Sequence, residues 1–307
     1  MARKLRLEYE NALYHVINRG NYRADIFATE GAKVAFERCL FETCEKSGWM
    51  LHAFVIMRNH YHLALETPGA NLVAGMKWLQ ATFANRFNRM RKELGHVFQG
   101  RYQAIVLEDG AALGAVCHYI HLNPARAGAV AMEDLARYRY GSFHWLRQAK
   151  KRPAFLNFST ALETAGDLKD TPAGRRSYFE YLSWLAADEP ARKAMGFENM
   201  CRGWARGSTA FKKALVREHK EKKLHRAAFE AETAELRELV WEECVQQCLR
   251  KLRCEHAEVT ATRKAAAWKV AIAVHLKATT TVTNPWLHGA CTWGLRMRSA
   301  AIARSAG

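Results

Sequence analysis

No stretch of the 307-residue chain is apolar for long enough to cross a bilayer. The amino terminus has no apolar core of the kind a secretory signal needs, so neither a membrane span nor secretion is expected. The eight cysteines are too sparse for a disulfide scaffold. None stands in a C-x-x-C pair, which argues against a zinc ribbon. Cys244 and Cys248 lie four apart, with Cys254 and His256 nearby. They could gather a zinc ion, although small buried thiols are the simpler reading. Acidic residues are also scarce: 30 Asp and Glu face 47 Lys and Arg, for a formal charge of +17. That deficit points to a polyanionic partner, nucleic acid first, with an anionic membrane surface as the other fit.

What is present reads in order as strand, helix, strands, helix, strand, helix. Leu13 to Ile17 alternates like a strand and ends in the turn residues Asn18-Arg19-Gly20-Asn21. Thr29 or Glu30 opens a helix that Gly48 stops near Ser47. Trp49 to Glu66 is rich in β formers, with a break at Met57-Arg58-Asn59 and an end at Pro68-Gly69. Asn71 is placed to cap a helix through about Leu94, with Leu72, Met76, Leu79, Phe83 and Phe87 on its apolar face. Arg86 and Arg89 lie on its basic face, which is either simply solvated or follows a phosphate backbone. Val97 to Glu108 reads as a strand, and Ala111 to Asn123 as a helix that Pro124 ends. The simplest packing is a two-layer α+β fold, an antiparallel or mixed sheet with helices packed on one face.

Three parts are expected: an α+β domain over 1–150 that carries the chemistry described below, a helical linker region over 151–202, and a basic helical region over 203–307 suited to DNA. Residues 134–146 interleave aromatics with arginines, and Tyr140 and Trp145 there suit either base stacking or a packing flap. A helix is expected around Thr171 to Asp188. Two short helices within 263–298 are compatible with a helix-turn-helix.

The chemistry centres on His60-Tyr61-His62. Residues two apart on a strand share a face, so the two imidazoles form a ready pair of metal ligands. Tyr119 and Asn123 stand four apart on a helix and share a face as well. If that helix lies on the histidine strand, Asn123 supplies a third ligand oxygen and Tyr119 a nucleophile. An imidazole-rich site suits Mn, Zn or Co, whereas phosphate chemistry with oxygen ligands suits Mg²⁺ or Mn²⁺, and the latter pair is expected. On the residues alone, the simpler reading of Tyr119 is a half-buried tyrosine that packs its helix on the sheet. His121, facing away from it, either touches DNA or fills the core.

Four segments together resemble the REP-associated tyrosine transposases, single-tyrosine members of the HUH endonucleases related to bacterial insertion-sequence transposases. They are Tyr14 to Gly20, Met57 to His62, Phe98 to Tyr102 and Tyr119 to Gly128. The resemblance implies that His60, His62 and Asn123 hold the metal and that Tyr119 is the nucleophile. It implies an antiparallel sheet with flanking helices that cuts and rejoins single-stranded DNA near palindromic hairpins. The intermediate would be a 5′-phosphotyrosine. A bacterial cytoplasmic, nucleoid-associated monomer is expected. Asn18, Arg19, Arg58, Arg86, Arg89, Arg101, Arg126, Tyr140 and Trp145 are the DNA-binding candidates. Trp204 to Ser208 with Phe211, and Lys264 to Leu295, resemble the longer members. The family's glycine after Met297 is replaced by Arg298. The competing readings are a catalytically degenerate, sequence-specific DNA-binding regulator and a metal-dependent hydrolase that forms no protein–DNA adduct.

Overall fold

The computed structural model describes residues 7–218, 234–254, 262 and 266–289. The chain divides into two compact units, one over 6–208 and one from Thr209 onward. In the first unit, β1 (Ala12–Arg19), β2 (Met50–Ile56), β3 (His60–Thr67), β4 (Gln103–Leu107) and β5 (Ala205–Arg206) form one sheet. Its order is β2-β3-β1-β4-β5. The first four strands pair antiparallel, and the two-residue β5 joins the edge in parallel.

The strand alternation decides what each face meets. Tyr61, Leu63 and Leu65 pair with Asn18, Val16 and Tyr14, and point to one face. That face is covered by α1 (Glu30–Ser47) and α2 (Leu72–Arg91). The Phe36 and Tyr61 rings lie 4.6 Å apart there, and Gln80 donates to the Tyr61 hydroxyl at 3.0 Å. His60 and His62 pair with Arg19 and Ile17 and point to the opposite face, covered by α3 (Ala111–Arg126). The α+β architecture is as expected, but helices lie on both faces. This makes three layers rather than two, because β3 is buried on both of its sides.

Local chemistry sets most boundaries. The Thr29 hydroxyl accepts from the Ala32 N–H at 3.2 Å at the start of α1, and Gly48 ends that helix in a left-handed turn. Asn71 precedes α2, yet its side chain caps nothing. It accepts instead from the Trp49 indole at 2.7 Å and donates to the Ser47 carbonyl at 2.9 Å. β4 starts at Gln103, not Val97. The preceding stretch has one isolated backbone bridge, from Phe98 to Gly20, and Gly100 takes a positive φ of 65°. α3 runs through Pro124 to Arg126. Proline's fixed φ suits a helix, and its missing N–H costs one bond near the end of the helix.

Residues 151–202, set apart in the sequence reading, lie in this first unit. After α4 (Ser142–Arg147) come α5 (Ser159–Glu163), α6 (Pro172–Ala187) and α7 (Glu189–Ala194). α5 and α6 pack on the outside of α3. The Tyr178 hydroxyl on α6 bonds to Nδ1 of His118 at 3.0 Å and of His121 at 2.8 Å. Nε2 of His118 meets Thr164 Oγ1 at 3.1 Å, and Nε2 of His121 meets Ser142 Oγ at 2.9 Å. His121 is therefore a core residue that ties three helices together, not a DNA contact.

The second unit contains α8 (Thr209–Glu218), α9 (Ala234–Leu252), α10 (Ala267–Thr279) and α11 (Asn284–Gly289). Trp241, Val245, Leu249, Ile272, Leu276 and Leu287 build its core. Cys244, Cys248 and Cys254 pack against that core as small apolar groups. Among the described residues, no three His, Cys, Asp or Glu side chains gather as a metal site. His256, and the parts of the helix-turn-helix-like segment at 263–265 and 290–298, lie outside the described residues.

Candidate active site

The site is assembled on the α3 face of the sheet. β1 and β3 set His15, His60 and His62 on one surface, through the pairs His15 with Ala64, Ile17 with His62 and Arg19 with His60. The His60 and His62 ring centroids lie 5.1 Å apart, and those of His15 and His62 lie 5.2 Å apart. α3 brings the Tyr119 ring to 5.5 Å from His62 and 6.1 Å from His15. Asn123 follows one helical turn later and is buried.

The turn before β3 orients His60. Met57 N–H closes it on the His60 carbonyl at 2.8 Å, and the Asn59 carbonyl accepts from Gly20 N–H at 2.7 Å. The Asn59 amide nitrogen donates to the Arg23 carbonyl at 3.4 Å, so its oxygen is the atom that faces His60 Nδ1 at 2.7 Å. An amide oxygen only accepts, so the His60 proton sits on Nδ1 and its lone pair on Nε2. Among the described residues, no hydrogen bond engages Nε2 of His60, Nε2 of His62 or the side-chain amide of Asn123.

Burial and nearby positive charge keep both imidazoles neutral. His62 is held well below the usual histidine range by burial, then by His15, His60 and Arg126. His60 is lowered by burial and by Arg19. Neutral imidazoles with an oriented Nδ1 and an open Nε2 are what a divalent ion needs. Two such nitrogens are donors that a divalent ion accepts.

Tyr119 is half-buried, and its hydroxyl meets the Cys201 thiol at 3.4 Å. Burial and the Cys201 contact push its pKa up, while Arg126 opposes the rise. The Arg126 guanidinium lies 5.0 Å from the Tyr119 ring centroid and 5.3 Å from that of Phe197. Burial also raises the Cys201 thiol, so both groups rest protonated. The segment carrying Phe197, Met200 and Cys201 was missed in the sequence. It is pinned by Gln103, which donates to the Cys201 carbonyl at 3.0 Å, and by Arg206, which donates to the Asn199 and Met195 carbonyls at 3.1 and 3.2 Å.

The DNA-binding candidates fall into separate groups. Arg19 and Arg126 are exposed and flank the histidines and Tyr119. Arg101 is exposed on the segment before β4. Asn18 points to the other face, where its side chain holds the Gly100 carbonyl at 3.4 Å and caps Arg19 N–H at 2.8 Å. Arg58 pairs with Asp25 in the turn before β3. Arg86 is bound by Glu42, and with the exposed Arg89 it sits on α2, across the sheet from Tyr119. Tyr140 is buried under the Lys33 ammonium, and the half-buried Trp145 donates to Glu37 at 3.1 Å. That aromatic stretch is a packing flap on α1 and the edge strand β2. No helix among the described residues is long and apolar enough to cross a membrane.

Residues 8–123 match the family model described as "Transposase IS200 like". This stretch includes the three histidines, Tyr119 and Asn123, but neither Arg126 nor the Cys201 segment. Among solved structures, the chain is similar to a REP-associated tyrosine transposase bound to a REP hairpin. Identity there is 15%, covering 50% of this chain and 89% of that one, at a TM-score of 0.41. It is also similar to a protein from Deinococcus radiodurans R1 assigned provisionally as a transposase. Identity is 22%, covering 35% of this chain and 87% of that one, at a TM-score of 0.29. No curated protein matches the chain.

Proposed function

We propose that the segment matched to IS200-like transposases makes this chain a metal-dependent, single-stranded DNA endonuclease and strand transferase. The observation that carries the reading is the placement of Tyr119 against His62, 5.5 Å between ring centroids, beside histidines with oriented Nδ1 and open Nε2 atoms. His60, His62 and the Asn123 amide oxygen would hold Mg²⁺ or Mn²⁺. When bound, the ion neutralises and polarises the phosphate.

The chain's own residues supply the rest. Tyr119 gives up its phenolic proton and its oxygen bonds to phosphorus. The phosphorus–O3′ bond breaks, and the leaving oxygen takes a proton to become a 3′-OH. The 5′-phosphotyrosine that remains keeps the phosphodiester energy, so a second 3′-OH can reverse the step and rejoin DNA. Arg126 and Arg19, exposed beside the site, suit the phosphate backbone on either side. The substrate proposed is single-stranded DNA flanking a palindromic hairpin. Nucleophile and histidines come from one chain, which suits action as a monomer in the bacterial cytoplasm, at the nucleoid.

The test is covalent capture. Full-length protein, Mn²⁺ and a hairpin oligonucleotide with single-stranded flanks should give a denaturation-resistant adduct. Tyr119→Phe should abolish it while hairpin affinity stays within about threefold. The Tyr119–Cys201 hydrogen bond favours a second reading, a DNA-binding regulator with an idle nucleophile. Chelator-insensitive binding, with no adduct on any hairpin, would select it. Metal-dependent strand cleavage without an adduct would instead select a hydrolase.

A further inference from the structure

We propose that His15 is a positioning residue for His62: gripped by the Met200 carbonyl, it fixes His62 in the tautomer that turns Nε2 toward a divalent metal. The inference rests on the reading of His62 as a ligand and adds a residue that this reading does not use.

The argument is a chain of donors and acceptors. His15 is fully buried on β1. Its Nδ1 lies 3.1 Å from the Met200 carbonyl oxygen, and its Nε2 lies 3.0 Å from His62 Nδ1. A carbonyl can only accept, so the His15 proton is on Nδ1. Among the described residues, no carboxylate pairs with His15, and burial disfavours an unpaired charge, so the ring is neutral and its Nε2 accepts. His62 Nδ1 must then donate, which leaves the His62 lone pair on Nε2. His60 reaches the same tautomer through the Asn59 amide. Two neighbouring imidazoles are thus set alike by independent partners, Asn59 for His60 and, for His62, a His15 held by Met200, 185 residues beyond His15.

The Met200 carbonyl is a firm anchor. The next carbonyl, of Cys201, accepts from Gln103 on β4, and Arg206 binds the Asn199 and Met195 carbonyls. Met200 lies outside the stretch that matches the transposase family model, so the orientation of His62 draws on a residue downstream of that stretch. Partners that orient a ligating histidine typically govern ten- to hundredfold in metal affinity.

The experiment uses the full chain and Mn²⁺ as the probe. Two-bond ¹⁵N–¹H spectra of the metal-free protein should show His62 as the Nδ1–H tautomer. His15→Phe keeps the volume but removes the acceptor. It should give a mixture of His62 tautomers and weaken Mn²⁺ binding by about ten- to hundredfold, with circular dichroism unchanged. His15→Gln offers an amide N–H to Met200 and an oxygen to His62, and should bind Mn²⁺ within about threefold of the natural chain. An Nε2–H tautomer in the natural chain overturns the proposal. So does equal Mn²⁺ affinity in His15→Phe, or a Gln variant as weak as the Phe variant. An Nδ1–H His62 in a natural chain that binds no Mn²⁺ overturns the metal reading itself, and the positioning role with it.

Discussion

The Tyr119 hydroxyl lies 3.4 Å from the Cys201 sulfur. The side chain proposed as the nucleophile is thus occupied by a neutral thiol from a segment 82 residues downstream. Attack on phosphorus requires the phenol to leave this partner and lose its proton.

Replacing Cys201 with Ala releases the hydroxyl from the thiol at the loss of one weak contact, of about 0.5–1 kcal/mol. Single-turnover adduct formation should therefore rise by about two- to fivefold. Quench-flow on a hairpin oligonucleotide reads this directly. A tenfold loss in the variant would instead make Cys201 part of the machinery that prepares Tyr119.

Asn123→Leu fills the same space without a ligand oxygen. Mn²⁺ affinity, followed by electron paramagnetic resonance, should drop by about tenfold, the low end for a perturbed metal shell. Hairpin binding in chelator should not change. Unaltered Mn²⁺ affinity would remove Asn123 from the proposed ligands.

Burial pushes His118 and His121 down to about 3. In the unfolded chain each titrates near 6.5, so between those values the unfolded state carries more protons than the folded one. Stability is therefore full above about pH 6.5 and falls as the pH drops toward 3. Urea midpoints measured at pH 7.5, 6 and 5 should decline in that order. Tyr178→Phe, which removes the hydroxyl shared by both rings, should cost about 1–3 kcal/mol at pH 7.5. Midpoints that stay level from pH 7.5 to 5 would contradict the buried neutral pair.

Gly75 lets α2 press on Trp49: a Cβ there would come within 2.1 Å of Trp49 Cζ2. Trp49 is fully buried and bonded to Asn71, so it has little room to yield. Gly75→Ala should destabilise the first unit by about 1–3 kcal/mol through overpacking, despite alanine's better helix propensity. Chemical denaturation checks this, and a neutral or stabilising change would show that α2 can shift.

Local signals carried much of this structure. Thr29 and Gly48 bracket α1, and the alternation around His60 and His62 places both on one face. The four-residue spacing puts Asn123 one turn beyond Tyr119. Contacts without a local period could not be read. Tyr140 and Trp145 look like stacking residues until their partners Lys33 and Glu37 are known. Asn18 looks like a ligand at a strand end, but it holds Gly100 from the opposite face. The role of His15 depends on Met200, and nothing near either residue announces the pairing. One signal was available: a histidine inside an apolar strand cannot stay buried without a partner, so His15 called for one.

The distance along the chain between Tyr119 and Cys201 also sets a schedule. Domains fold as they emerge during synthesis, at about 5–20 residues per second. Tyr119 and the histidine strands leave the ribosome first, and Cys201 follows 82 residues later, after roughly 4–16 s at that rate. For that interval the nascent sheet and α3 can pair while the hydroxyl is still uncovered and the Met200 carbonyl has yet to arrive.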